Sequence, residues 1–395
     1  MSVPFIDTDR ALAEFCVALD GVSALAIDTE FVRETTYYPK LSLIQIASVD
    51  DPSLYACIDC VAIKTWQPLF ALLSHPDVWK VFHSASQDME VFYNKFYTEF
   101  GLPTPVLDTQ IAASFLGYTA QIGYADLIDQ ELDVQLSKTQ TRTNWLRRPL
   151  TAEQLQYAAD DVIYLAELYP KLIDKLNAQQ RLTFVLQDSA ALLQPEQYQS
   201  QPEAWHRLRR VDKLPSTARR FLPDLYAWRE HMAVELDRPR RWIISDQALL
   251  NLAEQTDALS VVDQPTVRTL VNRALESGHD FLAEQHQTAL CLRLIAAHAQ
   301  TAIPPLPDRL QLTTSQKQRV RWLEAQVEQQ ADRLGLDAER LSSRKALKQW
   351  VKHQSTIPLL TGWRYEVAGQ AIEQQYYDHF DSASPTSNRS GLPIA

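Results

Sequence analysis

Every strand-type run in this chain falls within its first 108 residues, and that asymmetry limits the folds open to it. Residues 3–6, 25–31, 41–47, 53–58, 79–83 and 106–107 are short runs rich in Val, Ile, Leu and Phe. Helical apolar patterns separate the later ones, near 65–73 and 86–100, and follow them, at 110–116, 124–131 and 151–169. The close succession of the runs at 25–31, 41–47 and 53–58 predicts antiparallel neighbours. From residue 171 onward no strand pattern recurs. The chain therefore reads as a mixed α/β domain followed by all-helical segments.

Its 395 residues are enough for two or three domains at about 150 residues each. The expected boundaries are an α/β domain over 1–172, a helical connecting region over 173–212 and a helical domain over 213–298. A Pro-rich linker over 299–311, a second helical domain over 312–380 and a Ser/Pro/Asn-rich tail over 381–395, expected to be disordered, complete the chain. No apolar run approaches the roughly 18 residues that a membrane span needs. The first ten residues hold two aspartates and no basic leader region, so a soluble, cytoplasmic protein with no membrane contact is expected. The 9 glycines argue against a Gly-rich phosphate loop. Cys57 and Cys60 have C-x-x-C spacing, but no second Cys or His pair accompanies them, so they read as strand and turn cysteines.

The net charge of −11 is unevenly spread. Residues 1–200 carry 13 Lys+Arg against 26 Asp+Glu, whereas 201–300 carry 13 against 13 and 301–395 carry 12 against 10. Within the acidic half, Asp28 and Glu30 stand two apart on the 25–31 run, so a strand points both to one face. Two carboxylates about 4 Å apart repel by roughly 4 kcal/mol at an effective dielectric near 20. A divalent cation with oxygen ligands relieves that repulsion. A solvated strand end or a protonated carboxyl relieves it too, and the dipeptide alone leaves all three open.

Asp88 falls in the first turn of the helix that follows the 79–83 strand, and by itself reads as a capping charge. Tyr157 and Asp161, four apart on the 151–169 helix, share one face. Taken in order, Asp28-Thr29-Glu30-Phe31, Leu43-Ile44-Gln45-Ile46-Ala47, Phe82-His83-Ser84-Ala85 through Asp88, Asn144-Trp145-Leu146-Arg147-Arg148-Pro149-Leu150 and Tyr157-Ala158-Ala159-Asp160-Asp161-Val162 resemble the DEDD superfamily of 3′→5′ exonucleases. The resemblance is to the subgroup with tyrosine, and within it to the ribonuclease D family, over residues 1 to about 170. It implies an RNase H-like fold with a mixed five-stranded sheet. It also implies a two-metal phosphodiesterase using Mg²⁺ or Mn²⁺.

By that resemblance Asp28 bridges both ions, Glu30 and Asp161 hold the one that carries the attacking water, and Asp88 supports the second, directly or through water. Tyr157 orients the water; phenols ordinarily titrate near pH 10, too high for a general base at neutral pH. Asp160 points about 100° away on the helix and is not expected to be a ligand. His83 and Phe31 are candidates for contact with the terminal nucleotide. Lys138, Arg142, Arg147 and Arg148 around Trp145 suit phosphate contact and base stacking.

In the helical half, Leu222-x-x-Leu225-x-x-Trp228-Arg229-Glu230 with Arg238-Pro239-Arg240 and Leu249-Leu250 resembles an HRDC domain. Gly362-Trp363-Arg364-Tyr365-Glu366 resembles a second, divergent copy. Arg209, Arg210, Arg219 and Arg220 lie in the densest basic run, with Trp205, Trp228 and Trp242 interleaved, and are candidate RNA contacts. The expectation is an exoribonuclease that releases nucleoside 5′-monophosphates from RNA with a free 3′ end, tRNA precursors above all, with no protein partner evident. A 3′→5′ DNA exonuclease and a non-catalytic RNA-binding protein on a nuclease scaffold are the alternatives. The 2′-OH separates the first, and metal-dependent mononucleotide release separates the second.

Overall fold

The computed structural model describes residues 3–137, 140, 143–275, 282–306, 312–353 and 355–380. Arg142, Lys138, the tail from 381 and part of the Pro-rich linker lie outside the described residues.

The α/β unit is built from β1 (Phe5–Ile6), α1 (Asp9–Ala18), β2 (Ala24–Val32), β3 (Lys40–Ser48), β4 (Tyr55–Asp59), α2 (Gln67–Leu73), β5 (Trp79–Phe82), α3 (Ser86–Phe100) and β6 (Val106–Asp108). It continues through α4 (Thr109–Ser114), α5 (Tyr124–Leu132), α6 (Ala152–Ala178) and α7 (Leu182–Ala190). The strands form one mixed sheet in the order β1-β4-β3-β2-β5-β6. β2, β3 and β4 pair antiparallel, while β5 and β6 join parallel to β2. The sheet has six strands rather than five because Phe5–Ile6 adds to its outer edge, parallel to β4.

The pleat of β2 explains the two layers. Leu25 and Ile27 point to one face, into a core with Leu12 of α1, Phe70 of α2 and Phe92 of α3. Each such fully buried Leu or Ile contributes roughly 2 kcal/mol. Ala24 and Ala26 point to the other face, toward Val162 and Leu165 of α6. Small residues there let α6 lie close to the sheet. α6 starts at a capping box formed by Thr151 and Gln154. It runs past the expected end near residue 169 to Ala178, with Pro170 inside it.

The connecting region holds the end of α6 and α7, and beyond Ala190 it is a series of 3₁₀ turns. α8 (Leu222–Glu235), α9 (Arg240–Ile243), α10 (Asp246–Asp257), α11 (Gln264–Leu275) and α12 (Glu284–His298) then enclose a core of their own. Among the described residues, Tyr37, from the β2–β3 connection, is the buried residue that the α/β unit contributes to that core. The last segment, α13 (Thr314–Leu334), α14 (Ala338–Leu341), α15 (Arg344–His353), α16 (Gly362–Arg364) and α17 (Gln370–Phe380), behaves differently. Its Leu323, Trp350, Trp363 and Ile372 share one core with Phe115, Leu165 and Leu172 of the α/β unit. Trp363 stacks on Phe184 with ring centroids 5.0 Å apart, and Arg364 bonds Asp188 at 2.6 and 2.8 Å.

Candidate active site

Asp28 and Glu30 continue the Ala24/Ala26 side of β2, so they emerge on the α6 face. Asp161 comes down from α6. Carboxylate oxygens of Asp28, Glu30 and Asp161 all lie within 4.8 Å of one another. A bulge fixes where β2 carries them. Glu30 pairs with Leu43 but Phe31 with Leu41, which leaves Ser42 as the extra residue on β3. Ser42 donates from Oγ to the Trp145 carbonyl at 2.5 Å, and its own carbonyl accepts from Arg148 at 3.1 Å.

Asp88 arrives from the opposite layer. Thr29, between the two acids, points toward α3, and its hydroxyl donates to Asp88 Oδ1 at 2.5 Å. Asp88 is thus buried beside the other three but outside the close group. The turn that aims it is held by Asp108, whose carboxylate accepts from the backbone N–H of Ser84 and Ala85, both at 2.9 Å.

The electrostatics are those of crowded, desolvated acids. Burial, then the charge of Asp161, holds Asp28 well above the usual carboxylate range. Burial and the neighbours Asp28, Asp161 and Asp88 push Glu30 up to about 10. Burial, then Asp160 and Asp88, pushes Asp161 up to about 8. Asp88 is raised by burial and Asp28, against the Thr29 hydrogen bond. Among the described residues, no lysine or arginine lines the cavity of about 390 Å³ into which the three acids open. The donor set therefore fits hard divalent cations, with all-oxygen ligands and an excess of negative charge.

His83 lines the same cavity, with Nε2 at 3.1 Å from the Ile122 carbonyl and Nδ1 at 3.0 Å from Thr109 Oγ1. Burial lowers its pKa, so the neutral ring that donates to the carbonyl is favoured. Tyr157 lines the cavity one helical turn from Asp161. The Asp160 side chain instead accepts from Gln156 at 2.7 Å.

Other candidates are not brought there. Trp145 is 2% exposed and packs with Leu43, Cys57 and Ala158, its ring 6.1 Å from Tyr157. It supports α6 from beneath and offers no face for a base. Arg148 is spent on Asp59 (2.6 and 2.9 Å) and the Trp145 and Ser42 carbonyls, so it ties a loop to the sheet rather than meeting phosphate. Phe31 packs against the α1–α3 core. Arg147, Arg209 and Arg210 are exposed, and neither they nor Arg219 or Arg220 line the cavity. Arg220 bonds the Thr217 and Gln300 carbonyls and pairs with Asp257. Trp205 and Trp228 are buried in the α8–α12 core rather than interleaved with a basic surface.

Two residues of this site lack a sequence signal strong enough to single them out. Tyr124, at the start of α5, lines the cavity and donates to the Asp160 carbonyl at 3.1 Å; burial and the charges of Asp161 and Asp28 raise its pKa. Gln45 pairs with Asp28 across β2–β3 and with Cys57 across β3–β4. It is fully buried, and among the described residues neither its amide nitrogen nor its oxygen has a hydrogen-bond partner. An amide in the apolar run Leu43-Ile44-Gln45-Ile46 is a visible anomaly, but only the strand register places it on the acidic face.

Comparison with known proteins follows the same division. A 3′-5′ exonuclease family model matches residues 3–177, and an HRDC domain model matches residues 218–258. The chain is 34% identical to ribonuclease D of Pseudomonas paraeruginosa, over 94% of this chain and 96% of that one. It is 32% identical to ribonuclease D of Escherichia coli, over 94% and 98%. The crystal structure of Escherichia coli RNase D, described as an exoribonuclease involved in structured RNA processing, superposes with a TM-score of 0.81 at 31% identity, covering 96% of this chain and 100% of that one. A protein from Bifidobacterium adolescentis shares the fold, with a TM-score of 0.70 at 20% identity over 94% and 96%.

Proposed function

The chain belongs to the ribonuclease D family and is a 3′→5′ exoribonuclease, and from that premise we propose how its residues divide the work. The substrate is RNA with a free 3′ end, tRNA precursors and other small RNAs included, and the products are nucleoside 5′-monophosphates. The reaction takes place in the cytoplasm and uses two divalent cations, Mg²⁺ or Mn²⁺. The observation that carries this reading is the group of three partly buried carboxylates with oxygens within 4.8 Å of one another.

Asp28, Glu30 and Asp161 would hold the cations, with Asp88 supporting them from the α3 side. When bound, the cations supply charge neutralisation, an acidified water and stabilisation of the departing 3′ oxygen. The protein's own groups do the rest. Tyr157 orients the attacking water from the turn before Asp161. His83, neutral and fixed by Thr109 and Ile122, forms a rigid wall beside the terminal nucleotide. Burial of the site excludes bulk water and strengthens each charge interaction within it. Residues 1–172 form the catalytic unit, 213–298 an HRDC domain and 312–380 a second HRDC-like unit. The connecting region 173–212 and the linker 299–311 join them.

The test is product analysis on a 3′-labelled precursor tRNA and on a DNA oligonucleotide of matching sequence, with Mg²⁺, with Mn²⁺ and with chelator. Stepwise release of 5′-monophosphates from RNA, abolished by chelator, is expected. Release that persists in chelator, or a preference for DNA, overturns the reading.

A further inference from the structure

A cavity of about 530 Å³, larger than the one that holds the carboxylates, opens where the α/β unit, the connecting region and α8–α10 meet. One wall of it is α3, through Glu90 and Asn94, two and six residues after Asp88. Arg33, on its wall, follows Glu30 by three residues, about 10 Å along an extended chain. Arg33 is paired in a bidentate fashion with Glu90, two residues after Asp88 on α3. Tyr198, from the connecting region, lines the cavity; burial together with the charges of Glu90 and Asp88 pushes its hydroxyl up to about 12. Asp28, Glu30 and Asp161 thus line one cavity, and Tyr198, which feels the charge of Asp88, lines the other.

The lining has a distinct chemistry. Tyr38, Tyr198 and Tyr226 are half-buried rings on its wall, with the Arg229 guanidinium 4.9 Å from the centroid of Tyr226. Three of its four arginines are neutralised: Arg33 by Glu90, Arg229 by Asp246 and Arg240 by Glu230. Arg207 is exposed and has no ion pair among the described residues. Gln199 and Gln201 offer side-chain amides that hold no hydrogen bond among the described residues. Aromatic rings, spare amides and one spare cation suit a nucleotide unit: a base to stack, its polar edge and a phosphate. The single spare cation matches the one charge of an internal phosphodiester better than the near-double charge of a free 5′-monophosphate.

We infer that this cavity receives nucleotides of the substrate RNA upstream of the 3′ end, a second RNA subsite made jointly by the α/β unit, the connecting region and the first helical domain. The inference rests on the exoribonuclease reading. Upstream nucleotides held here extend the enzyme's grip beyond the scissile bond, so it favours longer substrates.

The test uses the full chain with Mn²⁺ and compares kcat/KM on a dinucleotide with that on a 12-nucleotide oligoadenylate. Arg207→Glu removes the spare cation and Gln199→Trp fills the cavity; both positions are exposed, so folding is spared. Lys345→Glu on α15 is the control for charge reversal. Each cavity variant is expected to lower the 12-mer to dinucleotide ratio by about tenfold, the scale of one lost base-stacking or phosphate contact. Arg207→Glu also flattens the salt dependence of 12-mer binding by about 0.7 in log–log slope. The control leaves the ratio unchanged. An unchanged ratio in both cavity variants overturns the inference, as does an equal loss on both substrates. Protection by added adenosine 5′-monophosphate that vanishes in the variants, with no change in ratio, assigns the cavity to a free nucleotide and overturns it as well. Failure of the wild type to release mononucleotides from either substrate refutes the exoribonuclease reading instead.

Discussion

Asp28 and Gln45 stand directly opposite each other across the β2–β3 pairing, and the amide that Gln45 brings to this face is fully buried with no hydrogen-bond partner among the described residues. A buried, unpartnered amide costs about 1–3 kcal/mol. Donating to a cage carboxylate once cations ionise the acids offsets that cost. Gln45→Leu is therefore expected to stabilise the metal-free protein by about 1 kcal/mol and to weaken Mn²⁺ binding about tenfold. Thermal melts in chelator and calorimetric titration with Mn²⁺ read the two effects separately. A loss of stability in chelator with unchanged Mn²⁺ affinity would assign Gln45 to packing alone.

Asp28→Asn and Asp161→Asn each remove a carboxylate from the close group. Each is expected to lower kcat by at least about 10³-fold, since the cations supply several kcal/mol of stabilisation to the reaction. The same substitutions remove an acid whose ionisation burial and its acidic neighbours oppose, so melting in chelator at pH 8 should rise. Single-turnover assays and melts on the same preparations check both.

The metal-free protein should lose stability as pH rises. Glu30 and Asp161 move from ordinary values of 4.5 and 3.8 to about 10 and about 8 in the fold. Between these limits the folded chain binds more protons than the unfolded one, so the stability is present below about pH 4 and is lost as pH passes through 8 and then 10. Melts in chelator from pH 6 to 9 should show a falling midpoint that Mn²⁺ flattens. Mn²⁺ binding at pH 7 should release protons, measurable from the buffer dependence of the binding enthalpy.

Arg148→Met should act on the fold and not on RNA. Arg148 is mostly buried, and it leaves Asp59 unpaired when removed. A loss of about 3 kcal/mol in urea unfolding is expected, with RNA affinity changed less than about twofold. A large affinity loss in a variant of unchanged stability contradicts the structural assignment.

Trp363→Ala should destabilise the catalytic unit itself, because Trp363 packs on Phe115 and Phe184 within the shared core. The expected loss is about 3–5 kcal/mol, read by the protection of amide hydrogens in α6. An effect confined to residues after 312 runs against a shared core.

Much of the candidate site is legible in the sequence. The parity of Asp28 and Glu30, the helical spacing of Tyr157 and Asp161 and the capping box at Thr151 are local patterns, and the structure brings Asp28, Glu30 and Asp161 together. The basic and aromatic candidates fared otherwise. Trp145 and Arg148 look like an exposed binding loop because composition carries no information about what a loop lies against. Their partners, Tyr157, Ser42 and Asp59, are 12 to 106 residues away in sequence.

The sequence by itself determined which residues form strands and helices and which acids share a face, because backbone periodicity and side-chain type are local properties. Only the tertiary structure decided that Asp88 comes from the layer opposite Asp161, held by Thr29. It likewise decided that Gln45 is stranded beside Asp28, and that the last helices close the catalytic unit's core while α8–α12 keep a core of their own. Those outcomes depend on strand register and on the packing of distant apolar faces, which no local window of residues contains.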